Sequence, residues 1–217
     1  MTLPESRMLT RCPITNRKTS LRLFLLCSLA ALLGAAGIDA DAGAQTTADQ
    51  PEIDVVMNRA KGYPLFEVTA KMTVHADVAR SWKVLTDYNR LAEFVPNLSR
   101  SQVSSSEGNE RVVTQNGFAR FLFIRQNIDL VLHVTEQPMQ AIDIRLVSGN
   151  MREYQARWEL QSLQAQQQAG NDGRTRISYA GIIAPDFYVP TLFGAALMKG
   201  DLRNMLNAVK AEIEKRP

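Results

Sequence analysis

Cysteine is nearly missing from this 217-residue chain, and its placement limits what it can do. Cys12 and Cys27 both fall within the first 44 residues. Residues 45–217 therefore contain no thiol, which leaves them without a disulfide or a thiolate metal site. Histidine is equally scarce, with His75 and His133 the two in the chain. Two separated imidazoles without cysteine do not make a zinc site, so no metal is expected. The sequence also lacks G-x-S-x-G, H-E-x-x-H, G-x-x-x-x-G-K and G-x-G-x-x-G. Those gaps remove the usual signs of a nucleophile elbow, a metalloprotease helix, a phosphate loop and a dinucleotide site, and no cofactor is expected. An excess of one charge is missing as well. The formal net charge is +3, but residues 1–44 hold five basic and three acidic residues, which leaves 20 basic and 19 acidic residues in the remainder. No basic stripe marks any expected element, so nucleic acid is not an expected partner.

The N-terminal segment has its own pattern. Arg7, Arg11, Arg17, Lys18 and Arg22 precede an uncharged run from Leu23 to Ile38, and Ala42-Gly43-Ala44 follows. A basic region, an apolar region and small residues two apart are the layout of a secretory signal cut before Gln45. The run of 16 residues from Leu23 to Ile38 is shorter than the roughly 20 that span a bilayer, although an uncleaved anchor is the competing reading. Leu26 is bulky where a lipid-modified Cys27 would need a small neighbour. A signal followed by a chain without cysteine fits export to a bacterial periplasm. The expected division is a signal over 1–44, a loose polar leader over 45–62, and one domain over 63–217.

The domain is organised around its last helix, predicted over Tyr188–Lys215. Met198, Leu202, Met205, Leu206, Val209 and Ile213 recur at helical spacing, and Pro190 suits a first turn. A helix of about 25 residues is about 37 Å long, and it cannot hide its apolar side alone. The segments before it are mostly strand-like. Phe66, Val68, Ala70, Met72 and Val74 alternate with polar residues, as in a half-buried strand. Asp77 can cap a helix carrying Val78, Trp82 and Leu85, and a second short helix lies near Arg90–Val95. From Ser99 onward the period is two. Glu107-Gly108-Asn109, Pro138, Ser148-Gly149-Asn150 and Asp172-Gly173 mark turns. A long strand is predicted over Phe121–Val134, and Tyr154, Ala156, Trp158 and Leu160 share one face of another. The order is strand, two helices, about six antiparallel strands and a long helix. It is an α+β chain whose antiparallel sheet curls around one helix and leaves a space where side chains do not fill it.

Ala76-Asp77-Val78-Ala79-Arg80-Ser81-Trp82-Lys83-Val84-Leu85-Thr86-Asp87-Tyr88, followed by Leu91-Ala92-Glu93-Phe94-Val95-Pro96, resembles the polyketide cyclase/dehydrase and coenzyme Q-binding START-like (SRPBCC) family. Gly149-Asn150-Met151-Arg152-Glu153-Tyr154 with Trp158, and Pro185-Asp186-Phe187-Tyr188-Val189-Pro190, are similar to later signatures of that family. The resemblance covers about residues 65–215. It implies a helix-grip (START/Bet v 1-like) fold with a deep apolar pocket under the C-terminal helix, used by relatives for lipids, quinones and polyketides.

Phe94, Phe121, Phe123, Tyr154, Trp158, Tyr179, Phe187, Leu192, Met198 and Leu202 are the apolar residues expected to line such a pocket. Met198 and Met205 suit a wall that adapts to flexible tails. Two polar residues fall on apolar phases. Period-two counting puts Arg152 on the face of Tyr154 and Trp158, where it is either a strand-end residue reaching water or a polar anchor at the pocket mouth. Gln126 interrupts the apolar face of the long strand and can hydrogen-bond a carbonyl headgroup. His75 and His133 are read as surface residues, and Glu153 and Glu159 as a solvated strand face. No residue is assigned as catalytic. The preferred function is a carrier for a hydrophobic small molecule, acting as a monomer with transient membrane contact. Two alternatives stay open: a cyclase or dehydrase using Arg152, Tyr154 or His133 for proton transfer, and an adaptor that packs on a partner protein.

Overall fold

The computed structural model describes residues 50–59, 61–121, 124–163, 173–189 and 193–215. The segment read as an export signal, both cysteines and most of the glutamine-rich loop lie outside these residues, as do Phe123, Pro190 and Leu192. Among the described residues no helix is long and apolar enough to cross a membrane.

The chain runs β1 (Glu52–Asn58), β2 (Leu65–Val74), α1 (Val78–Leu85), a 3-10 turn (Tyr88–Arg90) and α2 (Leu91–Phe94). It continues through β3 (Leu98–Glu107), β4 (Glu110–Phe121), β5 (Ile124–Gln137), β6 (Ala141–Gly149), β7 (Met151–Ser162) and β8 (Thr175–Pro185) to α3 (Gly194–Glu214). Among the described residues eight strands form one antiparallel sheet in the order β1-β2-β8-β7-β6-β5-β4-β3. β2 buries Phe66, Val68, Ala70, Met72 and Val74 and turns Glu67, Thr69 and Lys71 to solvent, as its alternation predicts. Asp77 caps α1 by accepting the Arg80 backbone N–H at 2.7 Å. Edge strand β3 exposes Ser99, Arg100, Gln102 and Ser104, a polar rim that discourages further strand pairing.

Three sequence expectations are corrected. The leader expected over 45–62 contains β1, which pairs with β2 from Glu52 opposite Lys71 to Asn58 opposite Leu65. Ile53, Val55 and Met57 turn toward the core while Glu52, Asp54 and Val56 are exposed, so a short run with two acidic residues still alternates. The long strand expected over Phe121–Val134 is also displaced, to Ile124–Gln137. β4 continues to Phe121, which pairs with Ile124 at the start of β5. Finally, α3 starts at Gly194, later than the Tyr188 expected from helical spacing.

α3 packs on β1 and β2 and against α1. Leu206 and Ile213 are fully buried on its inner side, each contributing about 1.5–3 kcal/mol of apolar burial. Lys210 is buried too. Its Nζ reaches the Thr73 carbonyl at 3.0 Å and lies 3.7 Å from Glu214. The helix is thus seated at the β1–β2 end of the sheet, and room remains on the side of β4 to β7.

Candidate functional site

That room is a cavity of about 300 Å³ between α3, the α1–α2 segment and strands β4 to β8. Alternation builds its floor. Ile128, Leu130, Leu132 and Val134 project from β5, Ile142 and Ile144 from β6, and Tyr154 and Trp158 from β7. Met198, Leu202, Met205 and Val209 cover it from α3, at the spacing of one helix face. Tyr88, Leu91, Val95 and Leu98 close the remaining side. The Pro96–Asn97 corner is held there by backbone contact. Asn97 has a positive φ of 64°, and its carbonyl accepts the Phe118 N–H at 3.0 Å. Gly117 permits that approach, because a Cβ there would lie 2.5 Å from the Asn97 oxygen.

The polar groups at the wall are few, and most have partners just off it. The Tyr88 hydroxyl donates to Glu136 Oε1 at 2.9 Å, and Arg111 lies 3.4 Å from the other oxygen of that carboxylate. Burial, followed by the charge of Glu136, pushes the Tyr88 phenol far up. Gln115 Nε2 donates to Ser101 Oγ at 3.3 Å. Burial pushes the neighbouring Tyr154 and Tyr179 phenols up, so neither ionises near neutral pH. Trp158 packs edge-on against Tyr179 with ring centroids 4.8 Å apart.

Asp201 is the exception. It lies on the cavity side of α3, and it has no hydrogen-bond or ion-pair partner among the described residues. Burial alone raises its pKa above the ordinary 3.8. The folded state then holds a proton on Asp201 in a pH range where the unfolded chain has released it. Stability therefore falls as pH rises from about 3.8 through the raised pKa. Asp201→Asn is expected to stabilise the domain at pH 7 by on the order of 1 kcal/mol. The gain should shrink as pH is lowered toward 3.8. Urea unfolding across that range checks it, and a gain independent of pH would contradict this account.

Of the residues expected from the sequence, Tyr154, Trp158, Met198 and Leu202 line this cavity. Phe187 lines an adjoining pocket of about 40 Å³ that shares Met198 and Asp201 with it. Others lie elsewhere. Tyr179, on β8, is buried beside its cross-strand neighbour Trp158 and is not at the cavity wall. Phe94, at the end of α2, lies with Arg80, Val84 and Glu212 on the outer side of the helices. Gln126 donates to the Asn127 carbonyl at 3.1 Å and is not at the cavity wall. Leu192 and Phe123 are outside the described residues, and of Phe121 only the backbone is described.

Arg152 is the main correction. The β7–β8 register shifts between Met151 and Glu153, so an extra residue breaks the period of two. Met151 and Tyr154 both face inward, and Arg152 faces out. Its Nε donates to Asp186 at 2.7 Å, and its guanidinium lies 5.2 Å from the centre of the Tyr63 ring. Glu153 beside it pairs with Lys61 at 2.7 Å and accepts from Tyr63. These contacts tie the loop between β1 and β2 to β7. His133 faces out to Glu110 at 2.9 Å, and the His75 N–H donates to Glu214 at 2.7 Å.

Sequence reasoning missed Asp201 and the β4 wall of Val113, Gln115 and Gly117. For Asp201 a signal was there. It stands three residues after Met198 and four before Met205, on the same helical face.

Residues 74–210 match the family described as polyketide cyclase / dehydrase and lipid transport. The chain belongs to this family. Among curated proteins none matches the sequence. Similar solved structures include a STAR-related lipid transfer protein from Xanthomonas axonopodis, at 19% identity and a TM-score of 0.56, covering 75% of this chain and 94% of that one. The Zhui aromatase/cyclase from Streptomyces sp. R1128 is similar at 15% identity and a TM-score of 0.55, covering 70% and 95%. A START superfamily protein from Mycobacterium smegmatis is similar at 14% identity and a TM-score of 0.55, covering 68% and 97%. At such identities the likeness concerns the fold, which is the helix-grip, START-like arrangement of a curved antiparallel sheet and a C-terminal helix. In this member of the polyketide cyclase / dehydrase and lipid transport family, the grip encloses the cavity just described.

Proposed function

We propose that the chain binds and carries a hydrophobic small molecule, such as a lipid or a quinone-like or polyketide-like compound, in the cavity beneath α3. The observation that carries this reading is a cavity of about 300 Å³ walled almost wholly by aliphatic and aromatic side chains. That volume reaches the lower end of ligand pockets, roughly 300–1,000 Å³, and far exceeds the roughly 15 Å³ of probe-occupied volume that one water needs. Four apolar residues of α3 form the lid, two of them the adaptable Met198 and Met205. Carriage is favoured over turnover by the placing of the candidate proton-transfer groups. Arg152 faces solvent in an ion pair with Asp186, His133 faces solvent with its Nε2 beside Glu110, and Tyr154 alone of the three lines the cavity. The basic and apolar composition of residues 1–44 supports carriage in a bacterial periplasm.

Native mass spectrometry of protein purified from its host tests both parts. The expected mass is that of a chain starting at Gln45 plus one apolar molecule. A chain that retains residues 1–44 would overturn cleavage before Gln45 and favour the uncleaved anchor. A chain that comes without any apolar molecule, and takes none up when offered, would overturn carriage.

A further inference from the structure

Asp201 is the only charged residue at the wall of the main cavity among the described residues, and it is also at the wall of the adjoining small one. Its helix neighbours Lys199 and Arg203 line neither. No described cation pairs with it, and it is half-buried among Met198, Leu202 and Met205 of its own helix. Any apolar ligand that fills the cavity will cover this carboxylate further. An ion moved out of water without a counter-charge is costly, and an incoming group of opposite charge offsets that cost.

The other polar groups at the wall narrow the choice. Tyr88 donates its hydroxyl proton to Glu136, and Gln115 donates an amide N–H to Ser101. Tyr154 is a neutral phenol beside Tyr179. Asn97 at the corner is a neutral amide. The wall therefore offers an unpaired anion and no cation. A ligand carboxylate or phosphate would be repelled, and a ligand donor with positive charge would be held by a charge-assisted hydrogen bond.

We propose that the molecule seated in this cavity has an apolar body and a protonated amine, and that Asp201 is the counter-ion of that amine. This rests on the carrier reading above and names the chemical class of the cargo. The cationic end sits at the α3 wall where the two cavities meet, and the apolar body lies along the β5–β7 floor.

Calorimetric titration with decylamine, decanol and decanoate tests the proposal at neutral pH, on the wild-type protein and on Asp201→Asn. These probes share one chain length and differ in the charge of the head. For the wild type, decylamine is expected to bind at least about tenfold more tightly than decanol, with decanoate the weakest. For Asp201→Asn the amine should lose that advantage and bind within about twofold of decanol, while decanol binding persists and reports that the variant is folded. Decanoate binding the wild type as well as decylamine does would overturn the proposal, and this comparison needs no variant. An amine preference that survives in Asp201→Asn would overturn it too. If decanol binds and no head-group preference appears, the carrier reading stands and the assignment to Asp201 falls. If none of the three binds, the carrier reading fails and the proposal with it.

Discussion

Met198→Trp is expected to abolish uptake of apolar ligands while leaving a folded domain. Met198 lies on the inner face of α3, at the wall of both the main cavity and the small one beside it. An indole here has room to enter, because the cavity of about 300 Å³ lies directly under the helix. Small-to-large changes in a filled core cost typically about 1–3 kcal/mol through strain, but a side chain that enters empty apolar space offsets that cost by new burial. Ligand and indole then compete for one volume. If the indole takes the room of about four ligand methylenes, the loss is about 3 kcal/mol at ~0.8 kcal/mol each, or at least about a hundredfold in affinity. Titration with an apolar fluorescent probe, alongside thermal unfolding, checks this. Unchanged affinity in a variant that melts at or near the wild-type temperature would mean that the ligand does not sit under α3. The matching change on the outer face, at exposed Arg203, should leave binding alone.

Most of the fold could be read in the sequence because two periods are written in it clearly. The alternation in β2 and in the middle of β5 and β7 fixes which side chains face the helix, and the 198–202–205–209 spacing fixes which face of α3 answers them. That is why Tyr154, Trp158, Met198 and Leu202 were found at their posts. What the sequence hid were the places where a period is interrupted. Arg152 was placed by counting through a bulge, and one extra residue between Met151 and Tyr154 turns it to solvent. β1 was hidden because seven residues with two acids give too short a pattern to separate from a polar leader. Tyr179 shows a different limit. Its phase is inward, but phase does not say how far across that face the cavity reaches: Tyr179 on β8 stands opposite Trp158, with Ala70 of β2 on its other side, and the cavity stops at Trp158.

The Gly149-Asn150 pair, part of the segment that carried the family resemblance, has a structural account. Asn150 joins three segments. Its Oδ1 accepts the Asp129 N–H at 3.0 Å, its Nδ2 donates to the Asn127 carbonyl at 2.7 Å, and its own carbonyl accepts the Asp186 N–H at 3.2 Å. These bonds hold the start of β7 against β5 and the end of β8. The bulge that sends Arg152 outward and Met151 inward follows directly, so this turn sets the phase of the whole cavity floor on β7.

For that reason Gly149→Ala is expected to be among the most damaging single changes in the domain. Gly149 has φ of +139°, a conformation that side-chain-bearing residues rarely adopt. A Cβ there would lie 2.2 Å from the Asp129 carbonyl oxygen and 3.0 Å from Leu130 Cα. Both are backbone atoms of β5, and neither can swing aside as a side-chain tip would. Relief requires β5 and the turn to separate, which stretches the Asn150 bonds at the same time. The expected cost is roughly 3 kcal/mol or more, and a loss of about 6–12 °C in melting temperature for a domain of this size. Gly200→Ala supplies the opposite sign. That glycine is inside α3 with nothing within 4 Å of the added methyl, so the substitution should stabilise by up to about 1 kcal/mol through helix propensity. Thermal and urea unfolding of the two variants side by side measure both. A Gly149→Ala protein as stable as the wild type would show that the turn relaxes freely, and that the inward phase of Tyr154 and Trp158 is set by their own burial and not by the bulge.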